Sequence, residues 1–218
     1  MNTTFGSKLA AALKNIFGVV VKGRTYANIL YLMLAFPLGL LYFVFLTVGI
    51  SLGVGLYVLI IGLPLLALIL LAWRQFVKLE RFQSHRLLGA RIEPETILHW
   101  SAGQNAWRWF RARLSSPVTW KGLGYLFLKF PLGLLAFILL IVLGVLSLVF
   151  ISIPFIYQNV NVDIGHGLAL GLPQALIFMV LGLFLGLFSL HVWNGLAFVF
   201  KWLSEKLLTA SPKTVGIE

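Results

Sequence analysis

The sequence predicts an all-α membrane protein: four transmembrane helices forming two parallel-repeat hairpins, with amphipathic interfacial helices on the cytoplasmic side. Three observations predict it. First, charge is scarce and segregated. The 218 residues are 60% hydrophobic and 11% charged, against about 25% charged in a soluble domain. Residues 25–73 hold no Asp, Glu, Lys, Arg or His, and residues 130–200 no Lys or Arg. A membrane helix needs about 20 apolar residues, so each stretch suits two spans. Second, all 17 Lys and Arg fall within residues 8–24, 74–129 and 201–213. Basic residues beside spans stay in the cytoplasm, which puts both termini and the central segment inside. Third, a block of sequence recurs between the two apolar stretches.

Residues 1–24 form the first unit. Phe5, Leu9, Ala12, Leu13, Ile16 and Val20 share one helical face, and Lys8, Lys14, Asn15 and Lys22 the other. That pattern suits a helix lying on the inner leaflet, or equally one packed on the protein's own cytoplasmic side. No cleavable leader is expected: the basic stub, apolar run and small-residue site are missing. Residues 25–92 form the first hairpin, with spans over about Asn28–Val48 and Leu52–Trp73. A tight glycine-rich turn is expected at Gly49–Gly55, and Arg74–Leu88 should continue the second helix into the cytoplasm.

Residues 93–116 read as an interfacial helix. Glu93 and Pro94 suit a helix start. Trp107, Arg108, Trp109, Phe110, Arg111 and Arg113 have headgroup-level composition. Arginine with aromatics also suits nucleic-acid strands, but flanking spans argue against nucleic acid as a partner. Residues 117–210 form the second hairpin, with spans over about Gly122–Ser152 and Gln174–Phe200. The loop Pro154–Pro173 is the one polar stretch expected outside, and residues 211–218 are a tail.

The repeat is explicit. Tyr31–Phe43 and Tyr125–Phe137 share ten identities over thirteen positions at an offset of 94, including Phe36-Pro37-Leu38-Gly39 with Phe130-Pro131-Leu132-Gly133. A weaker correspondence runs at offset 120: Trp73 with Trp193, Arg81 with Lys201, Ser84 with Ser204, and Leu87-Leu88 with Leu207-Leu208. Both copies enter from the cytoplasm, which implies a pseudo-twofold axis along the membrane normal. Pro37 and Pro131 should kink their spans, with Gly39 and Gly133 admitting a close neighbour.

These motifs carry a resemblance. Y-L-x-L-x-F-P-L-G, the GISLGVG segment followed by LIIGLPLL, and W-R-x-x-R-x-x-L-x-x-P-x-T-W-K resemble the sensor domain family of bacterial and archaeal signalling proteins over about residues 20–210. Members often form the membrane part of a histidine kinase, or stand alone. The resemblance implies a non-enzymatic membrane module and supplies no catalytic residues. No phosphoacceptor segment or ATP-binding domain is found in the 218 residues, so output through another protein is expected.

The side chains agree with a non-enzyme. Without cysteine, disulfides, thiolate metal sites and cysteine nucleophiles are excluded. The six acids offer no pair spaced for acid–base work, and HExxH, GxSxG and phosphate-binding glycine loops are missing. No cofactor or metal is expected; His166 near Asp163 supplies too few ligands, and His85 and His99 read as surface histidines. Three intramembrane polar residues stand out: Lys129, His191 and Asn194. Lys129 replaces Ala35 of the first repeat and either snorkels to the inner surface or pairs with an acid such as Glu80 or Glu205. His191 or Asn194 should hydrogen-bond a neighbouring helix's backbone. Gly182 and Gly186 offer a small-residue face for packing inside the bundle or between two copies.

The functional expectation is a sensor-like module of the plasma membrane that relays membrane or envelope state to a partner protein. An accessory subunit of a larger membrane complex, such as a transporter, is the alternative. Expected partners are anionic inner-leaflet lipids, contacted by Trp107, Arg108, Phe110, Arg111 and Arg113, and a protein, either a different chain or a second copy.

Overall fold

The computed structural model describes residues 18–56, 62–92, 117–157 and 171–209. Their long elements are four helices: α1 (Gly23–Gly55), α2 (Gly62–Leu88), α3 (Pro117–Ile156) and α4 (Leu172–Leu208). Most of the N-terminal unit, the 93–116 segment and most of the expected outer loop lie outside the described residues.

Among the described residues three helices are long and apolar enough to cross a membrane: Gly23–Gly55, Thr119–Ile156 and Leu172–Leu208. At most 33% of the apolar window in each is buried by the protein, so most of that apolar surface faces outward, as a bilayer solvent requires. The described part of α2 has twelve uncharged residues, Gly62–Trp73, before Arg74, and does not itself reach spanning length. Beyond Trp73, α2 continues unbroken to Leu88, as the sequence predicts. It stops there because Gly89 turns left-handed at φ 58°, and the Ala90 N–H reaches back to the Ser84 carbonyl at 3.0 Å.

The turn expected at Gly49–Gly55 is not there. Helix α1 runs through all seven residues, so Leu52 belongs to the first helix. The glycines serve packing instead. A Cβ on Gly53 would run into a Leu66 methyl, and one on Gly49 would lie 3.1 Å from Ile69. Four residues apart, the two glycines share a helix face and let α2 lie close against α1.

α3 packs most extensively on α4, then on α1; α1 also holds α2, while α2 and α3 barely meet along their backbones. The α1–α3 crossing is set by glycine. A Cβ on Gly39 would lie 3.0 Å from the Lys129 carbonyl, and one on Gly133 would lie 2.7 Å from the Ala35 carbonyl. The rings beside it follow the same exchange: Phe36 stacks on Phe137 at 5.2 Å, and Phe43 on Phe130 at 4.8 Å. Pro37 and Pro131 sit inside continuous helices at this crossing. Gly182 and Gly186 pack inside the bundle: a Cβ on Gly182 would lie 2.8 Å from Ile151 N, and Ser147 donates to the Gly182 carbonyl at 2.9 Å.

A buried charge site where four helices meet

One face of each helix converges on a polar cluster inside the bundle. Tyr31 and Tyr42 lie eleven residues apart on α1, three helical turns, and so point the same way. On α2, Glu80, Ser84 and Leu88 are spaced by four and form one buried stripe. Tyr125 and Lys129, also four apart, come from α3, and Ser204 from α4. Glu80, Ser84, Lys129, Ser204 and the three tyrosines are all 0% exposed.

Glu80 is the hub. Its carboxylate pairs with the Lys129 ammonium through Oε1. Tyr42 donates to Oε1 at 3.0 Å and Tyr125 to Oε2 at 3.3 Å. Tyr31 extends the chain, with its hydroxyl 3.0 Å from that of Tyr125. Beside them the Ser84 and Ser204 hydroxyls lie 3.1 Å apart. The ammonium also faces the Tyr31 and Tyr42 rings, 5.0 and 5.7 Å from their centroids. Three donors on one carboxylate, and two ring faces on one cation, are the compensation that buried charges need.

The cluster connects to the end of the bundle that carries the basic residues. Two turns beyond Glu80, the Leu88 carbonyl accepts a hydrogen bond from Arg24 Nη2 of α1 at 2.7 Å. The Arg91 N–H donates to Glu205 of α4 at 2.9 Å, and His85 meets the Ala90 carbonyl at 3.1 Å. The chain leaving α2 is therefore tied to both α1 and α4.

Lys129 does not snorkel, because Glu80 and the tyrosines enclose it. The sequence-derived alternative acid, Glu205, lies instead 3.9 Å from Lys201. Asn194 bonds across helices, but to side chains rather than backbone: Asn28 donates to it at 2.7 Å, and it lies 3.3 Å from the Thr25 hydroxyl. His191 makes no such bridge; its Nδ1 meets the Leu187 carbonyl of its own helix at 2.9 Å, on an exposed face. Trp107, Arg108, Phe110, Arg111 and Arg113 lie outside the described residues. Among the described residues no three His, Cys, Asp or Glu gather into a metal site.

From sequence the tyrosines are ordinary span residues and Ser84 and Ser204 are a repeat match in the helix ends beyond the spans, and none of them is assigned to a site. One signal could have found them: Tyr31 with Tyr125 and Ser84 with Ser204 are identical pairs of the repeat. Each pair meets at one point.

Over the described residues these features define an all-helical protein, with helices long and apolar enough to cross a membrane and a buried ion pair where they meet. The chain belongs to the family described as "Putative sensor", whose profile matches residues 31–208 and thus every residue of the cluster. No curated protein and no solved structure is matched by it.

Proposed function

We propose that this chain is a non-enzymatic, sensor-like module of the cytoplasmic membrane that relays membrane or envelope state to a partner protein. The observation that carries the reading is the Glu80–Lys129 pair. Fully buried ionisable groups are costly and concentrate at working sites, and this pair ties α2 to α3 inside a chain of the sensor family.

The architecture in this reading has four crossings. Residues 57–61, Tyr-Val-Leu-Ile-Ile, extend the uncharged run ahead of α2, and charge segregation puts both termini and residues 93–116 inside. The two hairpins are copies of one repeat about an axis along the membrane normal. The reciprocal contacts of Gly39 and Gly133, and the meetings of Tyr31 with Tyr125 and Ser84 with Ser204, support that arrangement. Anionic lipid headgroups are the partners of the arginine-rich 93–116 segment, and the amphipathic 1–24 unit suits that surface or the protein's own cytoplasmic side equally. Replacing Arg108, Arg111 and Arg113 with glutamine should weaken binding to anionic vesicles; unchanged binding removes the lipid contact.

Purification from native membranes tests the relay. A co-purifying kinase or regulator supports signalling. A stoichiometric transporter or respiratory complex supports an accessory subunit instead.

A further inference from the structure

The repeat offers an internal control for the charge site. Applying its offsets, the counterparts of Tyr125, Lys129 and Tyr42 are Tyr31, Ala35 and Ala136, and the counterpart of Glu80 is Phe200. Those four counterparts also cluster: Tyr31, Ala35, Ala136 and Phe200 share one buried core, with the Phe200 ring edge-on to Tyr31 at 5.6 Å. The same meeting of helices is thus built twice in one molecule, once around a carboxylate and an ammonium, once around a phenyl ring and two methyls. The apolar half demonstrates that the packing does not require charge. A buried ion pair is commonly matched or exceeded in stability by apolar residues of similar volume, whereas removing one partner strands a charge. The charged half is therefore suited to two states, paired and parted, where the apolar half has one.

The position of Glu80 says what would move. α2 has little backbone contact with α3, and the ion pair and the Tyr125 hydroxyl are polar ties between the two. The same stripe of α2 continues through Ser84 to Leu88, where Arg24 and Glu205 hold residues 88–91. That is where the chain passes into the 93–116 segment.

We propose that the Glu80–Lys129 pair is a latch: closed, it fixes α2 against the second hairpin; open, it lets α2 shift and frees the chain at Leu88 and Arg91 from Arg24 and Glu205. The inference rests on the sensor reading for its purpose but on geometry for its existence. The groups facing the pair are Tyr31 and Tyr42 of α1, Ser84 of α2, Tyr125 of α3 and Ser204 of α4. Parting it leaves the carboxylate with the Tyr42 and Tyr125 hydroxyls alone.

Hydrogen exchange on the full chain in lipid nanodiscs tests the latch. In the wild type the amides of Ala90 and Arg91 are bonded and should be protected. Lys129→Ala should lose protection at 89–92 while α3 and α4 keep theirs. The apolar variant Glu80→Phe/Lys129→Ala/Tyr42→Ala copies the other half and should stay folded, with 89–92 protected. Wild-type protection at 89–92 in a folded Lys129→Ala protein overturns the proposal. So does loss of protection throughout the apolar variant, which makes the pair a structural requirement. Because no partner is present, either result is independent of the purification that tests the sensor reading.

Discussion

Tyr31 and Tyr125 stand 94 residues apart in the chain and meet hydroxyl to hydroxyl at 3.0 Å inside the bundle. They occupy the same position in the two copies of the repeated sequence, yet their surroundings differ. Tyr125 donates to the Glu80 carboxylate, while Tyr31 packs against Phe200. One contact thus joins the charged half of the core to the apolar half.

The ion pair should reveal itself in stability. Lys129→Ala strands the Glu80 carboxylate and should cost about 3–5 kcal/mol, the usual range for breaking a buried pair. Glu80→Phe/Lys129→Ala/Tyr42→Ala should recover most of that. Thermal unfolding of the purified variants in one detergent is the measurement.

The glycine crossing should be intolerant of a methyl. Gly133→Ala pushes Cβ to 2.7 Å from a backbone carbonyl that cannot yield, and Gly39→Ala to 3.0 Å. Both should destabilise by about 1–3 kcal/mol, the usual cost of overpacking, with Gly133→Ala the worse. Gly55→Ala, with no atom near the new methyl, is the control. The same melts rank all three.

Asn28→Leu and Asn194→Leu should each cost much less, about 0.6 kcal/mol, because hydrogen bonds between membrane helices average that value. A double-mutant cycle on the two residues should return a coupling of similar size.

Much of this was legible in the sequence, and the exceptions have physical causes. The apolar stretches and the segregated lysines and arginines mark the helices because the bilayer forbids charge on its lipid face. The replacement of Ala35 by Lys129 at matched positions flagged the ion pair. Its partner stayed open between Glu80 and Glu205, since both lie on the basic side of the spans, Glu80 among Lys78 and Arg81. Only the inward stripe Glu80–Ser84–Leu88 separates it from them. The Gly49–Gly55 segment misled because glycine signals a turn in water but also a close helix contact in a membrane, and Leu66 decides between them.

Topology is open to a direct check. Reporter fusions after Met1, at Gln104 and after Glu218 should all report cytoplasm, and one near Asn161 the outside. An external signal at Gln104 would remove the four-crossing reading.

The central claim is that the Glu80–Lys129 pair sets what a partner receives. The most direct measurement is retention of proteins that co-purify from native membranes by three chains: wild type, Lys129→Ala, and Glu80→Phe/Lys129→Ala/Tyr42→Ala. The account predicts that Lys129→Ala, with its latch open, differs in retention from the apolar variant, with its latch fixed closed. Equal retention by all three folded chains would contradict it.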